Sequence, residues 1–488
     1  MNKPLRRVAI FCGLLVLALL VRVNWVQFVQ AEELQSDKNN RRVAIERYSV
    51  PRGNIIVDGK AITGSTKTDS GDFEYKRTYK NGEMWAPVTG YASQAYGADK
   101  LESLYDEILT GSDDRLFFNR TIDMLTGKEQ KGGQVVTTLK RDAQEAAYKG
   151  LGDKKGAVAA IDPSTGAILA LASTPSYDPS SIAGMTDTDQ ENYQRLLKDP
   201  DKPMNNRPLR ETFFPGSTFK VVTAAAALEH GLIDDIDAKT ETPAPYILPN
   251  TKTELKNDGP HPTCENGSLR EALRVSCNTV FGKLGADMGR DKLVETAEKF
   301  GFNDPEIDVP VRAARSNVST EMDKPQTALS AIGQFETAAT PLQMAMVTSA
   351  VANDGKLMKP YMVDQLRAPN LNVIEQTSPE EMSRPLSPEN AQKLQQAMET
   401  VVEKGTGTGA QLPNATVGGK TGTAQRGVDN SEKPYAWFIS YAKTDQGSPV
   451  AVAVVVEDSD ASREDISGGG LAAPIAKSVM QAVIDGNK

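Results

Sequence analysis

Pro215-Gly216-Ser217-Thr218-Phe219-Lys220 is the stretch from which the rest of the chain can be read. It runs directly into residues 221–228, Val-Val-Thr-Ala-Ala-Ala-Ala-Leu, which read as the body of a helix. Pro215-Gly216 marks the entry and Gly231 the exit. Ser217 therefore falls in the first turn, where unpaired backbone N–H groups favour developing negative charge. Residues i and i+3 of a helix share a face, so the Ser217 hydroxyl and the Lys220 amine are set side by side, a weak nucleophile next to a base. An isolated S-x-x-K is usually a capping serine and a solvated lysine. Its weight here depends on its company.

That company is Ser276-Cys277-Asn278, between a helix at 269–274 and another starting near Thr279, and Lys420-Thr421-Gly422-Thr423 on a late strand. S-x-x-K, S-x-N and K-T-G in this order are the signature of penicillin-recognising serine acyltransferases. Gly418-Gly419 and Gly422 would make a poor strand unless something approaches it closely. A phosphate-binding loop around Gly419-Lys420-Thr421 would also need glycine at 414, where Asn414 follows Pro413.

Composition removes other chemistries. The chain has 488 residues, 39% of them hydrophobic, enough for two or three domains with sizeable cores. Its net charge of -9 argues against general nucleic-acid binding. Two histidines, His230 and His261, leave little room for a Ser-His-Asp triad or a histidine-rich zinc site, and no metal or cofactor is expected. His230 reads as the end of the Ser217 helix, where a cation suits the helix dipole.

Residues 8–21 form an uncharged apolar run preceded by Lys3, Arg6 and Arg7. A cleaved signal peptide would fit, with Val29-Gln30-Ala31 as its processing site. Val23, Trp25, Val26, Phe28 and Val29 extend the apolar character toward the roughly 20 residues of a spanning helix, so an uncleaved single-pass anchor is the favoured reading. The basic amino end then lies in the cytoplasm and everything beyond residue 31 outside. In that compartment Cys264 and Cys277 are a disulfide candidate worth about 3 kcal/mol, the alternative being two small buried thiols.

Along the chain, residues 37–42 read as a polar linker. Residues 54–57, Asp58-Gly59 and 60–62 read as a tight hairpin, and residues 97–109 as a helix ending at Gly111. These make residues 32–140 a small α+β module without catalytic spacing. A helix at 141–151 and an apolar hairpin at 156–162 and 167–173 open the next domain. A helix at 342–352, strands at 417–424, 436–442 and 450–457, and a helix at 471–484 complete it. The predicted architecture is α+β, an antiparallel sheet closed by both ends of the domain with helices on its faces.

Taken together the chain resembles the class B penicillin-binding proteins, which are peptidoglycan D,D-transpeptidases. The resemblance runs from about residue 46 to the carboxyl end. Beyond the three motifs it includes Arg52-Gly53-Asn54-Ile55, Gly90-Tyr91, Gly97, Leu101-Glu102, Tyr105, Gly111, residues 339–343 and residues 469–474. The short module and Cys277 beside Asn278 are most similar to actinobacterial members. Asp58-Gly59-Lys60 departs from the pattern, since many members carry Arg after that Asp.

The resemblance implies a five-stranded antiparallel sheet flanked by helices, and a division into an anchor at 1–31, a non-catalytic module at 32–140 and a transpeptidase domain at 141–488 without a glycosyltransferase. It also implies roles. Ser217 is acylated by a D-Ala-D-Ala stem peptide, Lys220 is its base, Ser276 relays the proton, and Asn278 holds Lys220 and the donor backbone. Lys420, Thr421 and Thr423 receive the terminal carboxylate, with Gly422 leaving room for close approach. The N–H groups of Ser217 and Thr423 form the oxyanion hole. β-Lactams are implied as covalent ligands, and division or elongation proteins as partners.

Overall fold

The computed structural model describes residues 3–36, 41–68, 71–117, 125–127, 131–259, 261–426, 431–459, 461–463 and 466–486. The amino-terminal apolar run is one helix, Lys3–Phe28, whose most apolar window has a mean hydropathy of 2.2 and none of whose residues is buried. At about 1.5 Å per residue it is long enough for the roughly 30 Å hydrocarbon layer. Most of the expected linker, residues 37–40, lies outside the described residues. Its last two residues, Arg41 and Arg42, open a short helix, Arg41–Arg47.

The hairpin forms as read. Asp58 and Gly59 take φ of 47° and 70°, and Val57 faces Lys60 across the turn. The helix expected over 97–109 does not form in one piece. Gly97–Ala98 pairs with Ala92–Ser93, Asp99 then caps a helix Lys100–Leu104, and a second helix, Asp106–Thr110, follows a break at Tyr105. Leu104, which helical spacing over 97–109 would set beside Leu101 and Ile108, is left 53% exposed.

What holds this module is ionic as well as apolar. Glu102, fully buried, accepts from Arg52 Nε at 2.6 Å and from Arg77 Nε at 2.7 Å. Arg52 also reaches Asp106 at 2.6 Å, and Arg77 bonds the Gly53 carbonyl at 2.7 Å. Burial alone would raise the Glu102 carboxyl, but Arg77 and Arg52 together hold it below the ordinary glutamate range. Gly53 has no room for a side chain because Gly133 O occupies the place of a Cβ. Arg52-Gly53 is therefore a structural element. A five-stranded mixed sheet runs through the module in the order 373–376, 363–367, 134–137, 55–57, 60–61. Its first two strands come from far along the chain, so the module and the following domain share a sheet.

The larger sheet has the order 416–426, 432–444, 447–458, 155–161, 168–174, every neighbouring pair antiparallel. Its faces follow the period-2 rule of strands. Val158, Ala160, Phe438, Val452 and Val454 pack with the helices Arg141–Leu151 and Ala473–Gly486. Ala157, Ala159, Trp437, Ile439, Tyr441 and Ala453 pack with the helices Lys220–Glu229, Pro341–Ala352 and Pro388–Lys404. The helix Pro341–Ala352 is buried almost all round, which its lack of a polar face allows. Strand 416–426 forms one edge, with its ladder facing 432–444, and among the described residues no strand pairs with its other side.

Candidate active site

Ser217 lies in a 3₁₀ turn, Gly216–Phe219, that leads into the helix Lys220–Glu229. Gly216 adopts φ of 52° and donates its N–H to Gly333 O at 3.1 Å. Gly333 is itself at φ 75°, and a Cβ there would overlap the Gly216 carbonyl. Thr218 returns both its N–H and its hydroxyl to the Pro215 carbonyl, at 3.3 and 2.7 Å. The turn is thus braced on both sides while Ser217 stays 9% exposed, and among the described residues its hydroxyl has no hydrogen-bond partner.

Lys220 is fully buried. Its Nζ bonds Ser276 O at 2.8 Å, Asn278 Oδ1 at 2.6 Å and Ser276 Oγ at 3.3 Å, and lies 5.8 Å from the centre of the Phe281 ring. Burial drives Lys220 well below the ordinary lysine range, the nearby Lys420 pushes in the same direction, and Asp258 opposes both. A neutral amine has two N–H donors and one lone pair. The Ser276 and Asn278 carbonyl oxygens take both donors, and the lone pair is left as an acceptor for a hydroxyl.

Ser276 takes φ of 66°, a conformation costing a non-glycine residue about 1–2 kcal/mol. The helix Leu269–Arg274 ends in a Schellman-type cap, with Ser276 N donating to Leu273 O at 3.3 Å and Cys277 N to Ala272 O at 2.8 Å. Ser276 occupies the position usually given to glycine. The cap turns its carbonyl and its hydroxyl toward Lys220, and Cys277 is joined to Cys264 by a disulfide with Cα atoms 5.6 Å apart.

Lys420 reaches the same group of side chains from the edge strand, where it faces Ile439 across the ladder. Its Nζ bonds Ser276 Oγ at 2.9 Å and Thr421 O at 2.8 Å. Burial brings Lys420 down to about 7, with Asp258 opposing. Ser276 Oγ is therefore shared by two lysines. Strand alternation sends Lys420 and Gly422 to this face and Thr421 and Thr423 to the other, and the Thr421 hydroxyl contacts Thr406 Oγ1 at 2.6 Å. Gly422 is packed against the nucleophile turn, since a Cβ there would meet Thr218 Cγ2 at 3.0 Å and Pro215 O at 3.1 Å. Trp437, opposite Gly422, donates its indole N–H to Phe214 O at 3.0 Å and locks the sheet to the same turn.

The motif residues thus converge from a turn, a helix cap and a strand. Sequence reading passed over Gly333, Asn257, Asp258 and Thr406, which act by shape, by capping or by charge and carry no motif. Gly333 had a signal in hindsight, Ile332-Gly333-Gln334 beside a helix end. His230 closes its helix as expected, bonded to Thr296 Oγ1 at 3.2 Å.

A family model described as the penicillin binding protein transpeptidase domain matches residues 156–481, and one described as the penicillin binding protein A dimerisation domain matches residues 52–135. The chain is 40% identical to the peptidoglycan D,D-transpeptidase PbpA of Mycolicibacterium smegmatis over 99% of both sequences. It is 40% identical to the protein of the same name from Mycobacterium tuberculosis over 100% of both. The structure of penicillin-binding protein A from M. tuberculosis as its ceftriaxone acyl-enzyme superposes with a TM-score of 0.85 at 40% identity, covering 90% of this chain and 100% of that one. The penicillin G acyl-enzyme of that protein gives 0.83, covering 89% and 100%.

Proposed function

Since the chain belongs to the class B penicillin-binding proteins and is a peptidoglycan D,D-transpeptidase, we propose that Ser217 is the residue acylated in its reaction and that Lys220 is the base. The observation that carries this assignment is the Lys220 amine, buried, with both N–H donors claimed by carbonyl oxygens and its lone pair turned to hydroxyls, Ser276 Oγ lying 3.3 Å away. As the Ser217 oxygen attacks the carbonyl between the last two D-alanines, its proton passes to Lys220. The tetrahedral oxyanion is received by the N–H groups of Ser217 and Thr423, the former in the first turn ahead of the helix. Collapse expels D-alanine, whose amine takes its proton from Ser276. Ser276 is resupplied by Lys220, to which it is bonded, while Lys420 holds its oxygen. An acceptor stem amine then repeats the sequence in reverse.

The donor peptide adds as a strand along the side of 416–426 away from 432–444. Its terminal carboxylate lies across the strand edge, met by Lys420 from one face and by the Thr421 and Thr423 hydroxyls from the other, and Asn278 binds its backbone. A β-lactam follows the same first half and remains on Ser217. The helix Lys3–Phe28 is the membrane anchor, with its amino end in the cytoplasm and the catalytic domain outside, as the flanking Lys3, Arg6 and Arg7 favour. The division into 1–31, 32–140 and 141–488 serves this arrangement, and partners belong to division or elongation. Covalent labelling with a fluorescent penicillin tests the centre. Wild type labels, and Ser217→Ala does not. A Ser217→Ala protein that still labels covalently refutes the assignment.

A further inference from the structure

Asn278 has to turn its amide oxygen toward Lys220, yet nothing within Ser276-Cys277-Asn278 decides which way the amide faces. A hairpin segment some twenty positions earlier does. Asn278 Nδ2 donates to the Lys256 carbonyl at 3.0 Å, which leaves Oδ1 for Lys220 at 2.6 Å. The helix Asn278–Met288 also needs a cap for its first N–H groups. Cys277 stands at the N-cap but makes no side-chain cap, its sulfur being held in the disulfide. Asn257 supplies the missing acceptor. Thr279 donates its N–H to Asn257 Oδ1 at 3.0 Å and its hydroxyl lies 3.3 Å from the same oxygen, while Asn257 Nδ2 is 3.2 Å from that hydroxyl. Leu255, on the same segment, fills the notch at Gly282, where a Cβ would overlap it.

We propose that Asn257 is a positioning residue for acylation: by capping the helix Asn278–Met288 from outside, it holds the Lys256 carbonyl against Asn278 and fixes that amide with its oxygen on Lys220. The alternative is a cap that contributes only stability. The two differ in rate. Misplacing a catalytic group by about 1 Å costs on the order of 100-fold, whereas a lost cap alone lowers stability and leaves the rate of the folded protein unchanged.

This inference rests on Ser217 being the acylated residue, so the experiment includes that control. Full-length wild type, S217A, N257A and N257D are compared for the second-order rate of acylation by a fluorescent penicillin and for thermal unfolding. Wild type that fails to label, or S217A that labels, refutes the parent assignment and not this inference. With that control met, N257A slows acylation by roughly 10- to 100-fold. N257D keeps an acceptor for both Thr279 donors and recovers to within about threefold, compared at the alkaline plateau of each pH profile, where the added carboxylate no longer affects Lys220. N257A that acylates at the wild-type rate, or N257D slowed as much as N257A, overturns the proposal. If N257A does not fold, N257Q, which keeps an amide but moves its oxygen by one methylene, is measured in its place, and a folded N257Q that acylates within about twofold of wild type then overturns it.

Discussion

Replacing Gly422 by alanine tests whether the nucleophile turn and the edge strand are one rigid unit. The new methyl would stand 3.0 Å from Thr218 Cγ2, 3.1 Å from Pro215 O and 3.1 Å from Trp437 Cβ. Ordinary contacts begin a few tenths of an ångström further out, so something must move. Thr218 is buried and tied by its hydroxyl to Pro215 O, and Trp437 is fixed by its ladder and by its bond to Phe214 O. None of the three can yield alone. The turn and the strand separate together, and Ser217 shifts relative to Lys420 and Thr423. Overpacking of this kind costs about 1–3 kcal/mol. A shift of about 0.3 Å, scaled from on the order of 100-fold per ångström, lowers the acylation rate by about fourfold. Stopped-flow acylation by a chromogenic β-lactam gives the rate, and denaturant unfolding gives the stability. A folded G422A protein that acylates within about twofold of wild type would show that the close approach has no part in placing Ser217.

Other outcomes follow from the same geometry. Acylation falls as pH drops through the lowered value of Lys220, because the protonated amine has no lone pair; in Lys420→Gln the residual acidic limb moves to higher pH, since a repelling cation is gone, and a limb moving to lower pH contradicts the pairing. Glu102→Gln leaves Arg52 and Arg77 without their shared carboxylate and destabilises the module by about 3–5 kcal/mol in denaturant unfolding, so a loss under about 1 kcal/mol would place the fold's support elsewhere. Because the folded Glu102 carboxyl lies below its ordinary value, its contribution is present above that ordinary value and is lost as pH falls through the folded one. Cys264→Ser removes a bridge worth about 3 kcal/mol and frees the Ser276 cap to move. It is expected to unfold more easily and to acylate more slowly, and an unchanged acylation rate would leave the bridge a stability role alone.

The sequence determined, by itself, everything that depends on local chemistry in a fixed order. Three short motifs, a hairpin turn at Asp58-Gly59, a helix at 341–352 with Thr340 as its cap and Pro341 in its first turn, and an apolar amino-terminal run each carry their physical cause within a few residues. The helix expected over 97–109 broke because strand pairing at Gly97 and the cap at Asp99 are decided by contacts that spacing does not encode. Only the tertiary structure could place Gly333 under Gly216, put Thr406 on the Thr421 hydroxyl, or bring residues 363–376 into the sheet of a module formed by the first 140. The division is physical. A nucleophile and its base can be read from one turn of helix. The lowered basicity of Lys220 cannot, because it comes from burial, from Lys420 arriving on a strand two hundred positions away, and from a helix cap that turns Ser276 inward.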